Sequence, residues 1–294
     1  MWKYRAGRVT SLDELAAELP GFVHRGRPGA EARPSRPHPR PARPPRIRVP
    51  RVQVRKPVLY LYSNEPCRPL SVNVRVGMPV GGQSLYYPAA TATRSGLSFM
   101  GSVYPTQGTG GCSPPPAMAR VASSHFWHDL RQVPASVFVA AGSEEAERFI
   151  FYDGLTELRS PYVFYGAGGH SSVSARPGRH AQAGFDDVIF AVHAGMYHRV
   201  VLPADARAPL PIASGDERPL SMLEAELRSQ LMARGLTAPE AQSLLVTWRH
   251  DLVEASGDRR IYFVDRADYD RMLPITISPA PRQLVRVGLV IELP

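Results

Sequence analysis

DVIFAVHAGMYHRVVL, residues 187–202, is the stretch from which the fold is read. Two seven-residue runs, 187–193 and 196–202, are built largely from the β-branched, aliphatic and aromatic side chains that favour strands. Only Ala194 and Gly195 stand between them, a connection short enough to join antiparallel neighbours and little else. A β-hairpin is predicted. Just downstream the apolar period changes. Leu220, Leu223, Leu227 and Leu231 recur at helical spacing, Ser221-x-x-Glu224 reads as the capping box that opens the helix, and Gly235 ends it. A second helix begins at Thr237 with Glu240 three residues on, and sets Ala241, Leu244, Leu245, Trp248 and Leu252 on one face. The short link predicts an antiparallel helical hairpin over 220–255.

Strand signals resume beyond it at 260–264 (RIYFV), 274–278 (PITIS) and 283–292 (QLVRVGLVIE). The helical pair is therefore inserted among strands or laid over a sheet. Upstream, alternation appears at Ile47-Arg48-Val49 and Val52-Gln53-Val54, then the apolar run Val58-Leu59-Tyr60-Leu61-Tyr62. Further strands are predicted at 70–76, 83–87, 96–100, 136–140, 148–152 and 162–165, separated by turns rich in Gly, Pro and Ser. Short strands with no helical pattern between them predict a mainly β protein: antiparallel β-sandwich lobes with an α-helical hairpin inserted in the C-terminal half. The expected division is an N-terminal extension over 1–50, a first lobe over 51–160 and a second over 161–294 that contains the hairpin 220–255. No fixed-period repeat is present, which argues against solenoids and propellers.

The net charge of +9 invites a nucleic-acid reading until the charge is located. Residues 1–24 balance to zero, with a short capped helix predicted from Ser11 to Glu18. Residues 25–56 hold ten Arg and Lys56 against Glu31 alone. From Pro57 onward the sum is −1. The folded body therefore has no global basic field. Its Arg/Pro run from Arg33 to Pro41 lacks the apolar side chains that offset ordering entropy, so polyproline II or disorder is expected there, with weak polyanion binding as its function. No run of apolar residues is long enough to span a bilayer, and Met1 to Gly26 contains no leader-like apolar region. The expectation is a cytoplasmic chain, with export open to it if translation starts further upstream. Cys67 and Cys112 are read as free thiols; in an oxidising compartment they would form one bridge.

Several motifs are carried together. They are Lys56-Pro57-Val58-Leu59-Tyr60-x-Tyr62, Tyr87-Pro88-Ala89-Ala90, Phe149-x-Phe151-Tyr152-x-Gly154, Gly235-Leu236 through Glu240-Ala241, Thr247-Trp248-Arg249, Ile261-Tyr262, and Leu273-Pro274-Ile275 through Pro279-x-Pro281 to Arg286-Val287. In this order the chain resembles a family of bacterial proteins to which no activity is attached. The likeness spans roughly residues 52–294. It departs from the family at Asp153, where similar strands carry Arg, and at Gly288-Leu289-Val290, which replaces a Val-Gly-Arg end. The resemblance implies neither cofactor nor substrate.

A P-loop needs a lysine after its glycines, and none follows Lys56. The Gly-rich stretches 108–111 and 166–169 lack the order of a dinucleotide fingerprint and read as loops. Gly169-His170-Ser171-Ser172-Val173 lacks the closing Gly of a nucleophile elbow. For metal chemistry the candidates are His125 and His128, which could share an ion only on a helix or turn, and His193 with His198, which a four-residue loop would bring opposite one another and a two-residue loop would separate. No cofactor is expected. Among the acids, Glu144-Glu145 and Asp186-Asp187 read as turn charges, and Asp153, at the end of an apolar strand, is the least ordinary. Tyr60, Tyr62, Tyr86, Tyr87, Trp127, Tyr152 and Tyr165 would suit a stacking platform, although core packing accounts for them too. The leading expectation is a non-catalytic binding module whose body takes a protein or carbohydrate ligand. The rival is a hydrolase, metal-dependent in one version, assembled in three dimensions from His125, His128, Asp153, His193 and His198.

Overall fold

The structure is a computed structural model that describes residues 2–5, 19–26, 51–54, 58–65, 67–78, 84–93, 95–105, 114–157, 160–166, 171–176, 187–203 and 208–293. The hairpin forms as predicted. Asp187–His193 and Met196–Leu202 pair in antiparallel register, from Asp187 opposite Leu202 to His193 opposite Met196. Ala194 and Gly195 both take positive φ, 49° and 79°, the twist a two-residue turn needs to match its strands.

That hairpin is part of an eleven-stranded sheet. Among the described residues the order is 216–219, 196–202, 187–193, 259–264, 288–293, 2–5, 51–54, 149–157, 84–87 and 24–26, with 58–60 also paired to 149–157. Trp2–Arg5 runs parallel to Gly288–Leu293, and the remaining pairs are antiparallel. Residues 1–50 thus contribute two strands, 2–5 and 24–26, to the same sheet as the body. The helix expected over 11–18, the alternation at 47–49 and the Arg/Pro segment from residue 27 to 50 lie outside the described residues.

Side chains on a strand alternate between faces, and here the two faces build two cores. Val188, Phe190 and Val192 pack with Ile261, Phe263, Leu289 and Ile291 on one side. Ile189 and Ala191 join Tyr262 and Val290 on the other. The α-helices among the described residues are α1 (Phe126–Leu130), α2 (Leu223–Ala233), α3 (Ala238–Arg249) and α4 (Arg266–Met272). α2 and α3 cover the first face with Leu223, Leu227, Leu231, Ala241, Leu245, Trp248 and Leu252, so the helical pair is a cover on the sheet. Burial of each such large side chain is worth about 1.5–3 kcal/mol. At α3 the capping box stands as predicted: Glu240 N donates to Thr237 Oγ1, and Thr237 N donates to the Glu240 carboxylate. α2 differs. A 3₁₀ turn, Leu220–Met222, precedes it, and Met222 occupies the cap position with no side-chain bond. Met222 has φ −86° and ψ −13°, and the extended backbone that a Ser221-type cap requires is absent there.

The second face of the large sheet lies on a six-stranded sheet in the order 146–147, 137–140, 96–104, 70–77 and 275–278, with 91–93 paired to 96–104. Val72, Val74, Val76, Leu97 and Phe99 supply its half of the shared core. Ile275–Ser278 reaches back across the chain to close the edge of Leu70–Gly77, with Ile277 opposite Val74. Among the described residues strand pairing therefore crosses residue 160 at two places, here and where Trp2–Arg5 joins Gly288–Leu293. A three-stranded sheet, 162–165, 172–175 and 210–211, flanks these layers. A third cluster gathers Leu85, Tyr87, Trp127, Leu130, Phe149 and Phe151.

Glu147 and Arg259 are among the ionic groups buried inside this frame. Glu147, with no exposed surface, accepts from Trp127 Nε1 at 2.7 Å, Arg131 Nη2 at 2.6 Å and the Arg148 amide at 2.9 Å. Arg259, 2% exposed, donates to four backbone carbonyls: Leu252 at 3.0 Å, Val253 at 3.2 Å, Ala255 at 2.8 Å and Gly257 at 2.9 Å. Those carbonyls belong to the π-helical turn His250–Glu254 that extends α3 and to the loop after it. Cys67 is disulfide-bonded, which corrects the free-thiol reading; Cys112, the chain's other cysteine, lies outside the described residues. Among the described residues no helix is long and apolar enough to cross a membrane.

Candidate functional site

Tyr60 and Tyr62 are two residues apart on extended backbone, so their side chains leave the same side. Ser243 and Glu240 are three apart on α3 and share a helix face. The two pairs meet. Tyr60 Oη donates to the Leu130 carbonyl at 3.1 Å, so the Ser243 hydroxyl, 3.2 Å away, is the donor to Tyr60 Oη. Tyr62 Oη donates to Glu240 Oε1 at 2.8 Å. Burial pushes both phenols far above their usual pKa and keeps them protonated. Two tyrosine hydroxyls thus tie the segment 58–62 to the covering helix.

The ties are not equal. Tyr60 is part of the buried packing, whereas Tyr62 is 51% exposed. Tyr60→Phe is expected to cost about 1–3 kcal/mol, because it strands a buried carbonyl and a buried serine hydroxyl. Tyr62→Phe is expected to stay within about 0.5 kcal/mol. Urea denaturation of the two variants checks the order.

Below these ties α3 stands off the body and leaves a cavity of about 130 Å³. Leu244 and Trp248 of α3, with Leu236 from the link before it, form one wall, and Val58, Leu59, Ile275, Val285 and Val287 the opposing one. Tyr152, Tyr269 and Arg286 complete the lining, and Glu240, Ser243 and Thr247 add polar atoms from the helix. Arg286 is held from several sides. It donates to the Asp270 carboxylate and, at 2.7 Å, to the Leu273 carbonyl, and lies 4.2 Å over the Tyr269 ring. Burial alone would lower its pKa, but Tyr269, Tyr152 and Asp270 outweigh that and raise it. Burial likewise raises Tyr152 and Tyr269, so both remain neutral hydroxyls.

The residues singled out in the sequence fall elsewhere. His125 caps α1, its Nδ1 accepting from the Trp127 amide at 3.1 Å, while His128 is exposed with Gln132 Nε2 3.1 Å from its Nε2. The helical turn does bring these two onto one side, but a ring nitrogen of His125 is committed to the cap. The two-residue turn separates the other pair: His193 stands opposite Met196, and His198 opposite Ala191. His193 Nδ1 is 2.8 Å from Asp258, and His198 Nε2 is 3.7 Å from Glu217. Among the described residues no group of three or more His, Cys, Asp or Glu side chains could hold a metal ion. Asp153 is buried opposite Leu85 and, by strand alternation, points away from Tyr152 and the cavity. Glu145 accepts from His24 at 2.9 Å and from the Ala89 amide at 2.7 Å, and Glu144 is exposed. Asp187 accepts from Tyr162 Oη at 3.4 Å, and Asp186 lies outside the described residues. Of the seven aromatics, Tyr60 and Tyr152 line the cavity, Tyr62 ties α3 at Glu240, and Tyr87 and Trp127 are core.

Leu130, Ser243 and Tyr269 line the cavity without any sequence signal of their own, and Leu244 and Val285 were legible only as part of a helix face and an expected strand. The remaining lining residues stand inside the motifs quoted above, scattered over more than 200 positions. No protein family, characterised protein or solved structure matches the chain.

Proposed function

We propose that the protein is a non-catalytic binding module and that its ligand site is the cavity under α3. One observation carries this: a ligand-sized, largely apolar space with a few polar atoms at its walls, the usual anatomy of a small-molecule site. The motif positions add support. Eleven of the sixteen lining residues, Tyr60, Tyr152, Glu240, Thr247, Trp248 and Arg286 among them, belong to the stretches that carry the resemblance to the bacterial family. Motifs far apart in sequence that meet at one space are expected of a family that shares a site. A space of about 130 Å³ suits a small molecule.

The test is occupancy. Benzene titrated into the protein should shift the NMR signals of Trp248 and Ile275, and Leu244→Trp, which fills the space, should abolish the shifts while the fold is retained. Shifts that persist unchanged in the filled variant would place binding elsewhere and overturn the reading.

A further inference from the structure

We propose that the ligand of the α3 cavity is a ring of about benzene's size that carries a hydrogen-bond donor and no negative charge, phenol being the simplest example. This rests on the cavity being the ligand site.

Size comes first. An apolar cavity of about 150 Å³ admits benzene, so a partly open one of about 130 Å³ takes a single six-membered ring and a small substituent.

The hydroxyl protons on the α3 side decide the polarity there. Thr247 Oγ1 donates to the Ser243 carbonyl at 2.7 Å. Tyr60 donates to the Leu130 carbonyl, and Ser243 in turn to Tyr60. The proton of each of these three hydroxyls is already committed within the protein. Glu240 brings only acceptors. Its carboxylate has about four lone-pair sites, and three donors reach it: Tyr62 Oη, Thr237 N and Thr237 Oγ1. What α3 shows the cavity is therefore oxygen lone pairs, on Glu240 and Thr247. A ligand satisfies them with an O–H or N–H.

Negative charge is excluded by balance. The guanidinium of Arg286, 4% exposed, is already paired with Asp270, so a ligand carboxylate would meet no unmatched cation and would share the cavity with Glu240. Such a carboxylate would also lose its hydration in an apolar space without a dedicated partner, which is costly.

The experiment is a titration of the full chain with four probes, followed by calorimetry or NMR. Fluorobenzene matches phenol in shape but has no donor; benzamide matches benzoate in size but has no charge. Phenol is expected to bind about tenfold or more tightly than fluorobenzene, as a donor to a charged acceptor warrants. Benzamide should bind and benzoate should not. Thr247→Val or Glu240→Gln should bring phenol down to the level of fluorobenzene and leave fluorobenzene unchanged. Equal affinities for phenol and fluorobenzene, or tighter binding of benzoate than benzamide, would overturn the inference and leave the cavity as a site. If no probe binds and benzene fails as well, the binding-module reading falls with it.

Discussion

Arg259→Met is expected to destabilise the protein by about 4 kcal/mol or more, the largest effect of any single substitution outside the apolar core. Methionine fills much of the space but supplies no donor. The carbonyls of Leu252, Val253, Ala255 and Gly257 would then lose the guanidinium that joins them. Stranding the buried Leu252 carbonyl costs about 1–3 kcal/mol and loss of the charged bonds to the half-buried Val253 and Ala255 adds to it, while water can reach the exposed Gly257 and relaxation of the π-helical turn returns part of the total. Burial pulls the arginine below its usual pKa, but at neutral pH it remains charged. Arg259→Lys should recover only part of the loss, since an ammonium has three donors at one point and cannot span four carbonyls. Urea midpoints of the two variants test this. A loss under about 1 kcal/mol for Arg259→Met would mean that water replaces the guanidinium.

Glu147→Ala should come second, at about 3–5 kcal/mol, the range for breaking a buried ion pair on one side. It strands Arg131, whose Nη2 lies 2.6 Å from the carboxylate, together with the Trp127 indole N–H and the Arg148 amide. The indole is fully buried among Tyr87, Phe149 and Phe151, where water has no ready access. The double variant Glu147→Ala with Arg131→Met should be less damaging than the sum of its parts, because it removes the stranded charge with its partner. A double-mutant cycle read by denaturation gives the coupling. Additive losses would show that the pair does not act as a unit.

The parts of the fold legible in the sequence are those whose signal is local. Residues 187–202 were readable because strand-favouring side chains and a two-residue gap leave the backbone one solution, and the structure has it residue for residue. Thr237 and Glu240 were readable for the same reason, since their bonds lie within one turn. α1 has five residues, too few to show a helical period, so His125 to Asp129 read equally well as strand or turn. The start of α2 was misplaced because a Ser-x-x-Glu pattern says nothing of the 3₁₀ turn that precedes the helix. The cavity was illegible for a different reason. Its walls come from segments around residues 58, 130, 152, 240, 270 and 286, and only the order of strands in the sheet brings them together. Asp153 drew notice as an acid in an apolar strand, yet the residue beside it, Tyr152, is the one that faces the cavity.

The strand Ile275–Ser278 has a consequence in time. It closes the edge of Leu70–Gly77, yet the ribosome makes it nearly two hundred residues later. At ~5–20 residues per second, roughly 10–40 seconds separate the two during synthesis. Throughout that interval Leu70–Gly77 offers an open row of backbone donors and acceptors along the edge that Ile275–Ser278 later takes. The nascent chain therefore carries a sticky edge for most of its passage off the ribosome, and its yield in the cell depends on what meets that edge first.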